Sequence, residues 1–220
     1  MSFRGTLKRI IYSNFLFEGV YTTVSRLKHS GGISLTSKGY GRIKKDCVGS
    51  DNSVIIGEHS EIHKPEIFIR GNGNKLIIGK NCIVGSGCSF RMEGNNITIK
   101  VGDETTFTRD VQLCAQENGS KISVGNDVMF SNTIIVRTSD SHPIYNAEGQ
   151  RINLPADVNI GNHVWIAPNS KVFKGVTIGD GAIIGSDSLV TKNVQSGSLA
   201  VGHPARIVKE NITWTREMLY

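Results

Sequence analysis

Between Ile160 and Gln195, apolar and polar positions alternate with a period of six. The first place of each unit is a branched aliphatic residue, and the fifth is small or β-branched: Ile160, Ile166, Val172, Ile178, Ile184 and Val190, against Val164, Ser170, Val176, Ala182, Ser188 and Val194. A helix repeats its apolar face about every 3.6 residues and a strand about every 2, so neither explains this period. A chain that turns a corner after every short strand does explain it. The pattern therefore predicts a solenoid of stacked triangular coils around an internal aliphatic column.

The same hexads recur upstream of residue 160, inside a longer repeat that begins at Val54. Each repeat opens with an aliphatic residue and a glycine, at spacings of 22, 23 and 23 residues: Ile56-Gly57, Ile78-Gly79, Val101-Gly102 and Val124-Gly125. Three hexads fill about 18 residues, so each coil carries a short insertion. The insertions are rich in Asn and Gly: Asn72-Gly73-Asn74, Gly94-Asn95-Asn96 and Asn118-Gly119-Ser120. Because Asn and Gly tolerate positive φ, we predict a ridge of turns along one edge of the solenoid.

The repeat breaks between Arg137 and Asp157, where no hexad is found. This segment contains the sequences TSDSHPIY (residues 138–145) and RIN (residues 151–153). Loops that leave a rigid scaffold are where binding and catalytic residues concentrate. We therefore place the candidate chemistry in an ejected loop at residues 137–157.

The two ends of the chain differ from the repeats. Residues 1–28 carry apolar side chains at three- and four-residue steps beside five basic residues, which predicts one or two amphipathic helices. These helices either pack on the solenoid or a neighbouring subunit, or contact an anionic membrane surface. We interpret residues 29–53 as a glycine-containing linker and residues 207–220 as a short terminal helix. The predicted domains are 1–53, 54–206 with the loop 137–157, and 207–220.

Composition and charge narrow the function classes. The 25 glycines and the apolar content of 38% fit a solenoid, whose core is a thin column. A net charge of +6 suits an acidic or phosphorylated ligand, but no nucleic-acid motif is present, so we expect no nucleic acid partner. Cys82 and Cys88 occupy the fifth place of successive hexads and are predicted to be buried thiols, which fits a reducing compartment. We find no signal peptide and no apolar run of about 18 residues.

Five segments together resemble one known family. They are HPIY, RIN, HVW, KGV and GHPARIVKENITW, which lie between residues 142 and 214. The hexads resemble those of the left-handed parallel β-helix acyltransferases, and these segments resemble bacterial O-acetyltransferases of capsular and other surface polysaccharides, the polysialic acid enzymes among them. The resemblance implies an all-β, left-handed parallel β-helix and an acetyl-CoA-dependent O-acetyltransferase. It also implies a carbohydrate acceptor, a homotrimer with sites between subunits, and a bacterial cytoplasmic location, with membrane association if residues 1–28 bind lipid.

The resemblance also assigns catalytic roles to individual residues. His142 of the His-Pro pair is the expected general base, which an acetyl transfer to an alcohol requires. Either Asp140 or a backbone carbonyl orients its ring. Trp165 is expected to line the acetyl end of the site and to donate its indole N–H to the thioester or to the leaving sulfur. Pro168 stands where related enzymes have the serine that helps to hold the oxyanion, so we expect a backbone N–H, such as that of Ala167, to replace it.

Coenzyme A and the acceptor have their own expected contacts. By resemblance, the cofactor is held in the C-terminal coils by Trp165, Ala167, Ser186, Thr191, Lys192, Arg206 and Lys209. For the acceptor, we predict contacts from Arg109, Asp110, Gln112 and Tyr145. No metal site is expected.

Three other functions remain open on the sequence alone. The acceptor is either a polysaccharide or a small free sugar or other small molecule. A non-catalytic, polysaccharide-binding solenoid is a further alternative. A γ-type carbonic anhydrase has the same fold, but it needs three zinc-binding histidines, and the histidines of this chain do not have the matching spacing.

Overall fold

The computed structural model describes residues 32–220, which form stacked β-strands without a helix. The strands in chain order are β1 (Ile33–Ser37), β2 (Tyr40–Val48), β3 (Asn52–Ile56), β4 (Glu61–Arg70), β5 (Lys75–Ile78), β6 (Ile83–Val84), β7 (Ser89–Glu93), β8 (Thr98–Val101), β9 (Thr106–Arg109), β10 (Gln112–Gln116), β11 (Lys121–Val124), β12 (Met129–Asn132), β13 (Ile135–Arg137), β14 (Val158–Ile160), β15 (Trp165–Ile166), β16 (Lys171–Val172), β17 (Thr177–Ile178), β18 (Ile183–Ile184), β19 (Leu189–Val190), β20 (Leu199–Gly202) and β21 (Ala205–Lys209). The amphipathic segment predicted for residues 1–28 lies outside the described residues.

Successive strands turn onto the three faces of a prism. Face 1 is a seven-stranded sheet in the order β1-β3-β5-β8-β11-β14-β17. Face 2 contains β4, β7, β10, β13, β16 and β19, and face 3 contains β6, β9, β12, β15, β18 and β20. The last two faces join because β4 bends around their shared corner and pairs with both β6 and β7. Among the strands of residues 32–220, only β20 and β21 pair antiparallel, so the predicted parallel β-helix is confirmed.

The interior is the predicted column of apolar side chains. All six aliphatic residues at the first hexad place and all six residues at the fifth place are buried. In the upstream coils the column also contains aromatic side chains, and Phe107 stacks on Phe130 with ring centroids 4.7 Å apart. Cys82 and Cys88 are buried in this column as free thiols, and burial raises the pKa of both. The period of six therefore corresponds to one inward side chain per edge of each coil.

Two features of the corners hold neighbouring coils in register. A Cβ at Gly125 would lie 2.6 Å from the carbonyl oxygen of Gly161 in the next coil, so no larger residue fits there without displacing the backbone. At the predicted ridge, side-chain oxygens of one coil accept hydrogen bonds from backbone N–H groups of the preceding coil. Asn95 Oδ1 accepts from Asn72 N and Asn118 Oδ1 from Asn95 N, both at 2.8 Å. The predicted ridge of Asn/Gly turns is therefore present, as a ladder of hydrogen bonds.

Two predictions for the chain ends are wrong. Residues 32–53 do not form a linker, because β1 pairs with β3 and β2 pairs with β4, which makes them the first coil. Glycines in this region, such as Gly39, serve as close-packed corners rather than as flexible joints. The predicted helix at residues 207–220 is also absent: β21 is a strand, and residues 210–220 contain no helix. This tail packs instead against the coils, where the Ile212 N–H donates to Gly197 O at 2.9 Å. In residues 32–220 no helix is long and apolar enough to cross a membrane.

Candidate functional site

The ejected loop leaves the prism at the ridge corner, between β13 on face 2 and β14 on face 1. Earlier coils turn this corner with short Asn/Gly turns, whereas here the chain forms a small hairpin. Tyr145 and Arg151 form an antiparallel bridge, and the Ile152 N–H donates to Ile144 O at 2.9 Å. The predicted interruption at residues 137–157 therefore corresponds to an ordered protrusion.

Asn153 holds this loop together. It is buried, with 8% of its surface exposed, and its side chain makes four hydrogen bonds. Oδ1 accepts from the Ile144 N–H at 2.7 Å and from Arg151 Nε at 3.3 Å. Nδ2 donates to the carbonyl oxygen of His142 at 2.8 Å and to Asp140 Oδ2 at 2.9 Å. A single amide thus binds the backbone of His142 and Ile144 and the side chain of Asp140, with all its donors and acceptors in use.

A partly buried ion pair ties the loop to the preceding coil. Arg151 donates two hydrogen bonds to Glu117, Nη1 to Oε2 at 2.6 Å and Nη2 to Oε1 at 2.7 Å. The Ser139 hydroxyl donates to the same carboxylate at 2.6 Å. The hydrogen bonds from Arg151 lower the pKa of Glu117 below its usual range, and the bond from Ser139 adds to this. Such a two-pronged pair fixes orientation as well as position.

Asp140 pairs with Lys174 of a neighbouring coil rather than with the His142 ring. Lys174 Nζ donates to Asp140 Oδ2 and also to Asn153 O, the latter at 3.2 Å. The hydrogen bond from Lys174 lowers the pKa of Asp140, and the bond from Asn153 adds to this effect. Within residues 32–220, Asp140 therefore supports the base of the loop and makes no hydrogen bond to the imidazole that it was predicted to orient.

The His142 side chain is exposed, and in the part of the chain that the structure describes its ring makes no hydrogen bond. The residue before it, Ser141, has a positive φ of 69°, which is uncommon for a residue with a side chain. The Ser141 N–H donates to Ser139 Oγ at 2.9 Å, which stabilises that conformation. The backbone at His142 is thus fixed, while both of its ring nitrogens are open to a substrate.

Trp165 begins β15 on face 3, away from the ejected loop. Its indole Nε1 donates to Ser131 Oγ at 3.3 Å, which is long for such a bond. Its ring centroid lies 6.0 Å from that of Trp214. No hydrogen bond or ring contact joins Trp165 to His142 within residues 32–220. A single copy of the chain therefore does not bring these two predicted catalytic residues together.

His163 forms a clamp on the C-terminal tail. Its Nδ1 is 2.6 Å from Asp127 Oδ2, its Nε2 is 3.0 Å from the Trp214 carbonyl oxygen, and its ring stacks on the Trp214 indole at 4.1 Å. Arg216 Nε donates to the other oxygen of Asp127 at 2.6 Å. Burial disfavours the charged ring, but the bonds to Asp127 and to the Trp214 carbonyl outweigh it and raise the pKa of His163. The sequence pattern did not predict this cluster.

The backbone N–H of Ala167 does not fit its predicted role. It donates to Ile184 O at 2.9 Å in the ladder between β15 and β18. The ladder would have to break before this N–H reached an oxyanion. Ala167 is therefore a structural residue of face 3 in this chain. Its backbone N–H, already bonded to Ile184 O, does not replace the serine at whose place Pro168 stands.

The other predicted cofactor residues lie in the C-terminal coils, but they are spread over several edges. Ser186 follows β18 at the corner between faces 3 and 2, whereas Thr191 and Lys192 follow β19 at the ridge corner. Arg206 and Lys209 belong to β21, which pairs with β20 at the edge of face 3. Their side chains are exposed. One chain by itself therefore does not gather them into a single pocket.

The predicted acceptor residues separate in the same way. Arg109 and Asp110 occupy the corner between faces 3 and 2, where Arg109 Nε is 3.3 Å from Asp110 Oδ2. Gln112 begins β10 and lines a groove on face 2. Tyr145 is exposed on the ejected loop. Only Gln112 and Tyr145 lie on face 2 or on the loop that leaves it.

Most contacts that fix the loop come from residues to which the sequence analysis assigned no role. Asn153 and Arg151 come from the RIN segment and Lys174 from the KGV segment, so both motifs were visible. Glu117 had no such signal, because it lies in an ordinary turn of the preceding coil. In residues 32–220, no cluster of three His, Cys, Asp or Glu side chains is arranged to hold a metal ion.

Comparisons with known proteins place the chain among similar folds and sequences. A profile of the bacterial transferase hexapeptide family (six repeats) matches residues 157–192. A polysialic acid O-acetyltransferase of Neisseria meningitidis is 34% identical over 194 residues, which span 78% of this chain and 89% of that protein. The solved structure of the polysialic acid O-acetyltransferase OatWY matches with a TM-score of 0.73 at 28% identity, over 87% of this chain and 94% of that one. The polySia-specific acetyltransferase NeuO matches with a TM-score of 0.50 at 29% identity, over 84% of this chain and 90% of that one.

Proposed function

This chain belongs to the hexapeptide-repeat acyltransferases, and on that premise we propose that it acetylates a hydroxyl group of an acidic surface polysaccharide, such as a sialic acid polymer, with acetyl-CoA as the donor. Membership makes it an acyltransferase enzyme, and its relatives of about 32–34% identity are named O-acetyltransferases. The observation that carries the proposal is the His142 ring, which is open to a substrate on a loop whose backbone is fixed. A binding solenoid would not need this combination.

His142 acts as the general base in the proposed reaction. Its free ring nitrogen removes the proton from the acceptor hydroxyl as that oxygen attacks the thioester carbonyl. A carbon–oxygen bond forms, the carbon–sulfur bond breaks, and the proton passes from the imidazolium to the departing sulfur. Asn153 and the Arg151–Glu117 pair hold the loop backbone that carries His142 while the proton moves. No acyl-enzyme is required, because the attacking oxygen belongs to the acceptor.

The basic residues of the C-terminal coils fit the phosphates of coenzyme A. Lys192 and Lys209 have no carboxylate partner within residues 32–220, and Arg206 donates only to the carbonyl oxygen of Ala205. Exposed cations without partners are available to bind phosphate oxygens. Ser186 and Thr191 lie in the same last coils, where backbone and hydroxyl groups can contact the pantetheine arm.

We propose a homotrimer in which the site is completed by a second copy of the chain. His142 and Trp165 lie on different parts of one prism, so a neighbouring prism is the simplest way to bring them together. Ile144, Ile152 and Leu154 of the ejected loop are 52%, 62% and 64% exposed, which suits a contact between subunits. The four free thiols support a reducing cytoplasmic location, and membrane contact through residues 1–28 is part of the same proposal.

The test is release of coenzyme A thiol from acetyl-CoA in the presence of a panel of sugars and polysaccharides. We expect release that depends on an acidic polysaccharide and is lost in His142→Ala. Release with a small sugar alone would shift the acceptor class to small molecules. Equal activity in wild type and variant would remove His142 from the mechanism and favour a binding role.

A further inference from the structure

A shallow groove crosses face 2 beside the base of the ejected loop. Its lining includes Arg91 of β7, Cys114 of β10 and Arg137 of β13. These three residues are in register: Arg91 is opposite Cys114, and Cys114 is opposite Arg137. Adjacent strands are about 4.8 Å apart, so the two arginines start about 10 Å apart in one row, with a small side chain between them.

Arg137 is not held there by an ion pair. Its Nη2 donates to Ser141 Oγ at 2.8 Å and to Gln116 Oε1 at 3.4 Å, and no carboxylate within residues 32–220 forms a salt bridge with it. Its Nε is buried without a partner. An unpaired buried donor has a cost, so folding alone does not account for an arginine at this position. The bond to Ser141 places its charge next to the residue that precedes His142.

Arg91 is held in the same row by packing. Its guanidinium lies over the Phe68 ring at 4.0 Å, and Arg70 lies over the same ring at 3.9 Å. Arg70 is neutralised by Asp46 at 2.9 Å, and Arg91 contacts Glu93 at 3.0 Å. The groove therefore contains two guanidinium groups and one carboxylate, with a net positive charge beside the proposed base.

We propose that this Arg91–Arg137 groove binds carboxylate groups of the acidic acceptor, with Arg137 as the subsite nearest to His142. The inference rests on the proposed function and names the chemistry by which the acceptor is recognised. A planar guanidinium pairs with a carboxylate through two parallel hydrogen bonds, which a neutral sugar cannot reproduce. A polymer with one carboxylate per residue can contact both arginines along the row.

The groove suits the acceptor better than the phosphates of coenzyme A. It lies on β7, β10 and β13, which precede the ejected loop, whereas Lys192, Arg206 and Lys209 all follow it, in the last coils. The acceptor hydroxyl must lie between His142 and the thioester, so acceptor and donor approach the base from different sides. The N-terminal side of the loop is therefore the acceptor side.

The experiment compares polysialic acid with the same polymer after reduction of its carboxylates to alcohols. Arg137→Gln should raise KM for the acidic polymer by about 10-fold or more, as loss of a charge-assisted pair predicts. Its kcat and its KM for acetyl-CoA should stay close to wild type, and its preference for the acidic polymer should fall. Arg91→Gln should show a smaller effect of the same kind, and Arg137→Lys an intermediate one. Arg42→Gln in β2 is the matched control, because this exposed arginine lies outside the groove.

Four results would overturn the inference. An unchanged KM for the acidic polymer in both glutamine variants would show that the groove does not bind the acceptor. An equal rise in KM for the acidic and the reduced polymer would show that the arginines do not recognise the carboxylates. A rise in KM for acetyl-CoA alone would reassign the arginines to its phosphates. If the wild-type protein acetylates neither polymer, the proposed function fails and the groove assignment fails with it. Thermal unfolding of each variant separates a binding defect from misfolding.

Discussion

His142 and His163 lie in neighbouring stretches of the chain, yet their surroundings hold them in opposite ways. His142 is held by its backbone: Asn153 binds its carbonyl oxygen, and its exposed ring has no hydrogen-bond partner within residues 32–220. His163 is held by its ring, which has an acceptor at each nitrogen and an indole stacked on one face. An acceptor at each nitrogen favours the imidazolium form, in which both nitrogens carry a proton. That form cannot accept a proton from a substrate. The contrast shows that a histidine available for base chemistry is one whose position does not depend on its own nitrogens.

The largest expected effect separates the two histidines directly. His142→Asn should lower kcat by about 10²–10⁴, because the transition state loses its proton acceptor, with little change in the unfolding temperature. His163→Asn should do the reverse, with a lower unfolding temperature and a change in kcat of less than about 10-fold. Steady-state kinetics and thermal unfolding of both variants test this. Similar kinetic losses in the two variants would contradict the assignment of His142 as the base.

The next effect concerns the backbone support of His142. Asn153→Ala removes four hydrogen bonds at the loop, and a displacement of the base by about 1 Å is expected to lower kcat by about 10- to 100-fold. Because Asn153 positions the base and does not titrate, the pH at which kcat/KM falls should not move. Asn159→Ala is the control, since Asn159 is exposed on β14. A shifted pH profile, or an unaffected kcat, would show that Asn153 does not act through the position of His142.

A smaller effect is expected at the clamp. Trp214 is 7% exposed, and Trp214→Ala should lower the free energy of unfolding by about 2–3 kcal/mol, somewhat less than for a central core residue because the tail packs at an edge. Trypsin should then cleave faster after Lys209. Leu219→Ala provides the control, because Leu219 is 95% exposed. Unchanged denaturation and cleavage would mean that the tail is not held by this contact.

The smallest effect is the pH dependence of the clamp. The pKa of His163 is raised in the folded protein, so its stabilising contribution is complete below its unfolded pKa of about 6.5 and is lost as pH rises through the folded value. The pKa of Asp127 is lowered, although burial acts against this, so its contribution is lost as pH falls below about 3.9 and through the folded value.

The size of this effect should be below about 1 kcal/mol, because the two side chains are 37% and 35% exposed and solvent screens the pair. Chemical denaturation of wild type and His163→Asn at about pH 6 and about pH 9 measures it. The stability difference between the two proteins should shrink at the higher pH. A constant difference would indicate that the charge of the ring does not contribute.

The sequence was sufficient for features that repeat over short distances. The period of six located the buried column, the Asn/Gly insertions located the ridge, and the break at residues 137–157 located the ejected loop with His142 in it. Each hexad turns its own corner, so a local pattern contains the information. The same local reasoning failed at residues 32–53 and 207–220, where glycines and scattered apolar residues form an end coil and a packed tail.

Only the tertiary structure decided which residues support the candidate site. Glu117 and Arg151 are 34 residues apart, and His163 and Trp214 are 51 apart, and these pairs meet because stacking brings different coils side by side. Stacking likewise places Arg91, Cys114 and Arg137 in one row and occupies the Ala167 N–H in a ladder. The sequence by itself therefore determined the repeating fold, the loop and its histidine. The contacts that fix the loop and bind the His163 ring depended on how the coils stack. Each of these contacts occurs once, so it leaves no period in the sequence.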